Sequence, residues 1–396
     1  MTRDFDVIVF GATGFTGRLV ADYLQRCPDR PRLRWAIAGR NRDKLAALGL
    51  DVPIVVGDAL DPGAVRELAG RTKVVCTTAG PFARYGSELV AACAEAGTHY
   101  CDLTGEVPWM RRMIDAHHDR AKLSGARIVH TCGFDSIPSD LGTWATQQAF
   151  RDRFGGPASR VTALFGDQRG GLSGGTVASA LELARTATSD DQIRKILANP
   201  YALDPDPDAP HPAVPRDRAI GWQRQLRVFT VPFVMAQVNT RVVRRAHALA
   251  GAPWGADFAY REVMSTPGTL RGAAMAVGIT GGLAALAFAM YRPALREQLA
   301  RRAPRPGEGP SAEVRARGHW TLRLLAENAR GDQLSFVVSD RADPGYGSTA
   351  KMLGEAALCL ALDPLSSPGG VQTPSVAMAQ PLLDRLRRAG LVFMPA

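Results

Sequence analysis

Gly11–Gly17 read Gly-Ala-Thr-Gly-Phe-Thr-Gly, between an apolar run at Phe5–Phe10 and a stretch of helical periodicity at Arg18–Leu24. This order predicts a β-strand, a tight turn and an α-helix. Glycines at these spacings let the backbone approach a pyrophosphate, and the helix N-terminus offers it free N–H groups. The stretch therefore predicts a dinucleotide-binding loop, with an ordinary tight turn as the alternative. The loop residues expected at the cofactor are Gly11, Thr13, Gly14, Phe15, Thr16 and Gly17.

The next predicted strand, Leu33–Ala38, ends in a cluster of basic residues that bears on cofactor choice. An NAD site usually has Asp or Glu here to hold the ribose hydroxyls, whereas an arginine suits a 2′-phosphate. Arg40 is therefore the predicted phosphate clamp, with Arg42 or Lys44 as a helper. The prediction is an NADP(H) site; a solvated charge cluster at a strand end is the alternative.

Two further strands are followed by candidate cofactor residues. Val52–Val56 leads to Asp58, which could accept from the adenine amino group or cap the following helix. Lys73–Ala79 leads to Gly80, Pro81 and Phe82. Ligands of doubly wound sheets lie beyond the carboxyl ends of the strands. This second loop is therefore expected near the nicotinamide.

A sixth strand, Ile128–Cys132, is followed by a loop dense in polar groups. Asp135 and Ser136 lie in this loop, at the sheet end where the nicotinamide is expected, and they are candidate catalytic residues. A proton donor is also needed, for which the sequence offers tyrosines that could equally have packing roles. The tyrosines considered are Tyr85, Tyr100 and Tyr346, of which Tyr346 is the preferred catalytic candidate.

The pattern as a whole predicts an α/β fold, with a Rossmann-type doubly wound parallel sheet and a second α+β substrate domain. Residues 1–132 are the predicted NADP(H)-binding domain and residues 133–340 the substrate domain, in which Trp320–Ala326 and Gln333–Asp340 resemble a hairpin. Residues 341–396 are predicted as a C-terminal segment with helices at Tyr346–Leu362 and Thr373–Ala389. A glycine- and hydroxyl-rich stretch, Gly170–Thr176, could cradle an anionic or carbonyl group or simply turn the chain.

Residues 273–291 form an uncharged segment flanked by Arg271 and Arg292. Its length nearly reaches that of a membrane span, but it is rich in Gly and Ala and only modestly apolar. Three interpretations stay open: a buried or substrate-lining helix, a segment that dips into one face of a membrane, and a true span.

Composition limits the classes of function. The chain has 396 residues and a formal net charge of +10, and its basic residues are scattered without the aromatic interleaving of a nucleic-acid surface. We read the charge as suited to NADPH, an acidic carrier protein or an anionic membrane face. The six cysteines lack metal-ligand spacing, so no metal is expected. A reduced cytoplasmic setting is predicted, without a signal peptide, while peripheral membrane contact and homo-oligomerisation stay open.

Several motifs together resemble the saccharopine dehydrogenase-like oxidoreductases, in particular the actinobacterial trans-acting enoyl reductase branch. They run over nearly the whole chain. The motifs are Phe10–Gly17, Ala79–Phe82, Cys101–Glu106, Gly133–Asp140, Ser173–Thr176, Gly345–Met352 and Gly369–Pro374.

The resemblance implies an NADPH-linked Rossmann domain, an inserted α/β substrate domain, and C-terminal helices in 341–396 that pack back on the first domain. It also implies reduction of an α,β-unsaturated acyl thioester held by a carrier protein of a polyketide synthase. Such chemistry needs a hydride at the β-carbon, a donor near the thioester carbonyl and a proton for the α-carbon. Alternatives are a saccharopine-type C=N oxidoreductase and a non-catalytic, membrane-associated NADP(H)-binding protein. A short-chain dehydrogenase is disfavoured because no tyrosine has a lysine four positions later.

Overall fold

The structure, a computed structural model, describes residues 3–170, 174–214, 218–302 and 309–396. The strands in these ranges are β1 (Phe5–Phe10), β2 (Trp35–Gly39), β3 (Ile54–Val56), β4 (Thr72–Thr77), β5 (His99–Cys101), β6 (Arg127–Val129), β7 (Arg160–Arg169), β8 (Gly221–Gln223), β9 (Val228–Pro232), β10 (Ala259–Pro267), β11 (His319–Glu327), β12 (Gln333–Asp340), β13 (Gly370–Gln372) and β14 (Val392–Pro395).

The α-helices in the same ranges are α1 (Phe15–Arg26), α2 (Arg42–Ala46), α3 (Pro62–Arg71), α4 (Phe82–Tyr85), α5 (Ser87–Ala96), α6 (Val107–Ser124), α7 (Ile137–Phe154), α8 (Gly174–Ser189), α9 (Asp191–Ala198), α10 (Ala236–Leu249), α11 (Leu270–Tyr291), α12 (Pro293–Arg302), α13 (Ala312–Ala316), α14 (Thr349–Leu362) and α15 (Pro374–Arg388). A 3-10 turn lies at Arg30–Arg32 and a π-helical turn at Pro344–Ser348.

The first sheet is parallel, with the strand order β13-β6-β5-β4-β1-β2-β3. Every residue of β1 is buried, because helices cover both faces of the sheet. Residues of α1, α14 and α15 belong to the core on one face, and residues of α3, α5 and α6 to the core on the other. This is the predicted doubly wound arrangement, and it brings the carboxyl ends of β1, β4, β5 and β6 to one edge.

The second sheet is mixed, with the strand order β14-β12-β11-β7-β10-β9-β8. Strand β10 is parallel to β7, and β11 and β12 form the predicted antiparallel hairpin. Alternate residues of β11 and β12 are buried, which places one face of this sheet against α7. The predicted α/β fold, with a parallel Rossmann-type sheet and a second α+β part built on a mixed sheet, is confirmed.

The C-terminal segment does more than supply helices. Helix α14 packs on α1, β1, β4 and β5, but β13 adds a parallel strand beside β6 and β14 adds an antiparallel strand beside β12. These strands have three and four residues, too few to show a period in the sequence. The segment therefore ties the two sheets together, while the domain boundaries stay a prediction.

Helix α11 is exposed, so the interpretation of 273–291 as a buried helix is wrong. Among its 22 residues only Gly272 and Ala276 are buried. A Cβ on Gly272 would lie 1.8 Å from the carbonyl oxygen of Pro267, so the helix starts tightly against the end of β10. The close packing of small residues is confined to this start of the helix. Beyond Ala276 no residue of α11 is buried, although α8 packs along part of it.

Candidate functional site

The loop Gly11–Gly17 has the backbone geometry of a phosphate cradle. Gly11 has a φ of +84°, which a residue with a side chain rarely adopts, and its N–H donates to the carbonyl of Ala38 at 2.9 Å. A Cβ on Gly17 would lie 2.2 Å from the carbonyl oxygen of Gly11. The N-cap of α1 is Gly14, which has no side chain to cap the first-turn N–H groups. These groups therefore fit an anionic phosphate at the predicted position.

Arg40 lies directly after β2 and is exposed. Its guanidinium carbon is 5.9 Å from the ring centroid of Tyr85, and that of Arg84 is 5.2 Å from the same ring. Two arginines and a tyrosine thus gather beyond the ends of β2 and β4, which is the composition of a site for a phosphorylated ribose. Tyr85, considered above as a proton donor, lies with them. The clamp role of Arg40 stays a prediction.

Asp58 does not cap a helix. Its carboxylate accepts from the N–H of Leu60 at 3.0 Å and so closes a local turn. Helix α3 is capped instead by Asp61, whose carboxylate accepts from the N–H groups of Gly63 and Ala64. The capping interpretation of Asp58 was wrong because two aspartates precede this helix and the nearer one takes the role. Contact with adenine stays a prediction.

Glu106 holds the loop that contains Gly80, Pro81 and Phe82. Its two carboxylate oxygens accept from the N–H groups of Phe82 at 2.9 Å and of Ala83 at 2.8 Å. The hydroxyl of Ser179, on α8, donates to the same carboxylate at 3.0 Å. Glu106 thus ties the end of β4 to the second part of the chain. Its position at the end of a motif did not reveal this role; the contacts show that it orders the start of α4.

Asp102 is a buried hub at the carboxyl end of β5. It accepts from the hydroxyl of Tyr100 at 2.9 Å, from Thr104 N–H at 3.1 Å and from Thr131 N–H at 3.2 Å. His130 Nδ1 lies 2.8 Å from the same carboxylate. Burial and the Asp102 charge raise the pKa of Tyr100 well above its ordinary value, so Tyr100 is a poor proton donor.

His130 was not singled out from the sequence, although it lies within the sixth predicted strand; in the structure it directly follows β6. A carboxylate partner at Nδ1 fixes the ring as the tautomer with its proton on Nδ1. Its Nε2 is buried and has no hydrogen-bond partner in the described part of the chain. Asp102 therefore holds the His130 ring in a fixed orientation, and the ring packs edge-to-face against Trp109 with ring centroids 5.0 Å apart.

Asp135 and Ser136 lie together in the loop after β6, at a contact with the second domain. The hydroxyl of Ser136 donates to Asn239 Oδ1 on α10 at 2.6 Å, and Asn239 Nδ2 donates to Glu262 on β10 at 2.5 Å. Tyr260 also donates to Glu262, at 2.8 Å. A chain of hydrogen bonds thus runs from the loop into the second sheet.

Two carboxyl groups at this contact, Asp135 and Glu262, have raised pKa values. Burial, with the negative charge of Glu262, raises the pKa of Asp135 to about 7. Burial raises the pKa of Glu262 to about 7 as well, against the opposing effect of its hydrogen bonds from Asn239 and Tyr260. Asp135 Oδ1 has no hydrogen-bond partner among the described residues. The loop thus holds a carboxyl group that can carry a proton near neutral pH.

Tyr346 lies elsewhere. Its ring packs edge-to-face on Phe15 of the glycine loop, with centroids 5.0 Å apart, and its N–H donates to Asp343. The structure therefore places Asp135 and Ser136 side by side in one loop, with Ser136 in the hydrogen-bond chain and Asp135 subject to the charge of Glu262, and it places Tyr346 at the phosphate loop. The three catalytic assignments stay predictions. Of the predicted cradle at Gly170–Thr176, residues 171–173 lie outside the described residues, and α8 begins at Gly174.

Comparison with known proteins identifies the family. A Mycobacterium tuberculosis protein, provisionally named as a trans-acting enoyl reductase, is 42% identical over 98% of this chain and 97% of its own length. The trans-acting enoyl reductase of Mycobacterium leprae is 39% identical over 99% of this chain and 97% of its own. This chain belongs to the trans-acting enoyl reductase family.

Two further similarities agree with this family. Residues 7–129 match the saccharopine dehydrogenase NADP binding domain, so this part of the chain is an NADP-binding domain. The solved structure of the glutamate-forming saccharopine dehydrogenase of Saccharomyces cerevisiae is similar over 98% of this chain and 99% of its own, with a TM-score of 0.54 and 14% identity. At that identity the similarity shows the shared two-domain fold alone.

Proposed function

We propose that the protein uses NADPH to reduce the C=C bond of an α,β-unsaturated acyl thioester, presented by an acyl carrier protein of a polyketide synthase. The observation that carries the reaction class is the full-length similarity to trans-acting enoyl reductases, at 42% and 39% identity. The residues proposed below for cofactor binding and for proton transfer are chosen from the geometry of the site. No nucleic-acid partner is proposed, and a cytoplasmic location fits a carrier-bound substrate.

The glycine loop and Arg40 are the residues that would hold the cofactor. The uncapped first turn of α1 suits the pyrophosphate, and the tight turn that leads to it needs glycine at 17, where a Cβ would clash with the carbonyl oxygen of Gly11. Arg40, where an acidic residue would favour NAD, gives the 2′-phosphate a charge-assisted partner. When bound, NADPH supplies the hydride for the β-carbon of the substrate.

Asp135 is the proposed source of the proton for the α-carbon. A carboxyl group with a pKa of about 7 is about half protonated at neutral pH, so about half of the protein molecules hold a proton there that can be donated. Asp135 Oδ1 is buried without a hydrogen-bond partner among the described residues, close to the point where β6 ends. Ser136, Asn239 and Glu262 position the loop through their hydrogen bonds.

The rival functions have less support. The similarity to saccharopine dehydrogenase is too distant in sequence to carry C=N chemistry to this chain. A non-catalytic NADP(H)-binding protein would have no need for an unpartnered carboxyl oxygen with a raised pKa at this edge. Both observations favour the enoyl reductase.

Isotope labelling tests the proposed reaction. The purified protein would be incubated with a 2-enoyl thioester and NADPH in D₂O, and the product analysed by mass spectrometry and NMR. We expect one deuterium at the α-carbon, from the exchangeable carboxyl group, and hydrogen at the β-carbon. Cofactor carrying deuterium at the transferred position, used in H₂O, should label the β-carbon instead. Absence of a saturated thioester, with either a pantetheine or a carrier-protein thioester, would contradict the proposal.

A further inference from the structure

We propose that α11 and α12 form a docking surface for an anionic phospholipid bilayer, into which α11 inserts from one side without crossing. Helix α11 has 22 residues and a mean hydropathy of 1.9 over its most apolar window, of which 6% is buried. A core helix of a soluble protein would be mostly buried. The apolar side chains here face outward, with Val277 62% and Phe288 58% exposed.

The exposed surface of α11 carries no charge beyond Arg271, and the surface that follows it on α12 is strongly basic. No charged residue lies between Arg271 and Arg292. Helix α12 follows directly, and the basic residues there outnumber its one acid, Glu297, which pairs with Arg301 at 3.2 Å. The arginines at this end are Arg292, Arg296, Arg301 and Arg302. An apolar helix beside a row of arginines matches an acyl layer beside anionic headgroups.

The directions of the strands on either side of α11 exclude a single crossing of the bilayer by this helix. Strand β10 runs parallel to β7, so its end at Pro267 lies at the Arg169 end of β7. Strand β11 runs antiparallel to β7 and begins with His319 opposite Arg169. The chain therefore leaves the second sheet after β10 and returns to it at β11 at the same end of the strands. A spanning α11 would require the charged return segment to cross as well, which is prohibitive. Insertion into one leaflet is the arrangement that the topology allows.

The aromatic residues at the end of α11 lie at the boundary between its apolar and basic parts. Tyr291 is 69% exposed, and the guanidinium carbon of Arg292 lies 5.1 Å from the ring centroid of Phe288. Aromatic rings with an adjacent cation are the side chains favoured at the level of lipid headgroups. This boundary sets the depth at which α11 would insert.

The docking surface also connects to the site. Helix α8 packs against α11 and α12, and its Ser179 donates to Glu106, which holds the loop after β4. On the proposed function, bilayer docking would therefore place the entrance of the site near the lipid surface. Acyl chains with low solubility in water are the substrates that gain most from that position.

Vesicle flotation tests the docking surface. The full-length protein would be floated with vesicles of phosphatidylcholine containing phosphatidylglycerol, and with vesicles of phosphatidylcholine alone. We expect binding to the anionic vesicles, weakened by salt, and at least about tenfold weaker binding to the neutral ones. Ala284→Asp puts a charge on the exposed face and should reduce binding about tenfold or more. Leu123→Asp is the matched control, since Leu123 is 83% exposed on α6, away from α11, and should float as the wild type does.

Three results would overturn the docking surface. They are absence of flotation with either vesicle, equal loss of flotation in Ala284→Asp and Leu123→Asp, and a vesicle-free dimer that Ala284→Asp converts to a monomer, which would assign the surface to a second copy. NADPH affinity of Ala284→Asp, expected unchanged, shows that the variant is folded. It also separates failure of docking from failure of the proposed reaction.

Discussion

The two ends of the candidate site are built in different ways. The phosphate end consists of backbone: Gly11–Gly17 form the cradle from seven consecutive residues, with the first turn of α1 behind them. The proton end consists of side chains from three elements, with Asp135 after β6, Asn239 on α10 and Glu262 on β10. The first end depends on local conformation and the second on how two domains meet. Mutations should therefore affect them in separable ways.

Gly14→Val should have the largest effect and act on the phosphate end alone. Gly14 has an extended backbone, and a Cβ there would lie 3.3 Å from the nearest atom, the carbonyl oxygen of Gly11. The Gly11 carbonyl has to shift by a few tenths of an ångström to accept the side chain, and a phosphate cannot approach that side chain closely. We expect NADPH affinity, measured by fluorescence titration, to fall about a hundredfold or more while Tm changes little.

The control for this substitution is Gly70→Ala, since a Cβ at Gly70 meets nothing within 4 Å. That variant should bind NADPH as the wild type does. Retained affinity in Gly14→Val would remove the phosphate-loop assignment.

Arg40→Ala should have an intermediate effect, restricted to one cofactor. Loss of a charge-assisted partner of the 2′-phosphate is worth about 1.5–3 kcal/mol, which corresponds to roughly ten- to a hundredfold in NADPH affinity. NADH, which lacks that phosphate, should bind nearly unchanged. Arg26→Ala, at the far end of α1, is the control. Equal weakening of NADPH and NADH would show that Arg40 is not the clamp.

Glu262→Gln should have the smallest effect, a shift of the pH profile at the proton end. Asp135 donates only when protonated, so kcat should fall as pH rises through its pKa of about 7. Removing the Glu262 charge lowers the Asp135 pKa, whereas burial still raises it. The alkaline limb of kcat against pH should therefore move to lower pH by up to about one unit. Glu313→Gln, at an exposed residue of α13, should leave the limb in place. A shift to higher pH would contradict the coupling.

The difference between the two ends also explains what could be read from the sequence. The glycine loop, the parallel sheet and the hairpin of β11 and β12 follow from local patterns, and the structure has all three. The strand β13 and the Asp135–Glu262 pair depend on residues far apart in the chain, for which periodicity gives no signal. His130 could have been noticed, because it is a histidine within a predicted strand that leads to the sheet edge where ligands bind.

Helix α11 shows a further limit of sequence reasoning. Its glycines and alanines fit a packed helix, a membrane-facing helix and a span equally well, since composition does not say what lies beside it. Two observations separate these alternatives: Val277 and Phe288 are exposed, and the chain leaves β10 and enters β11 at the same end of the second sheet. Both are properties of the tertiary structure.

NADPH oxidation by the purified protein tests the central claim most directly. A 2-enoyl thioester, free or on a carrier protein, would be compared with an amino acid and aldehyde mixture that forms an imine. We predict oxidation that depends on the thioester and is reduced about a hundredfold in Asp135→Asn, with NADPH affinity and the exposed control Asp152→Asn unchanged. Oxidation that depends on the imine and not on the thioester would contradict the account.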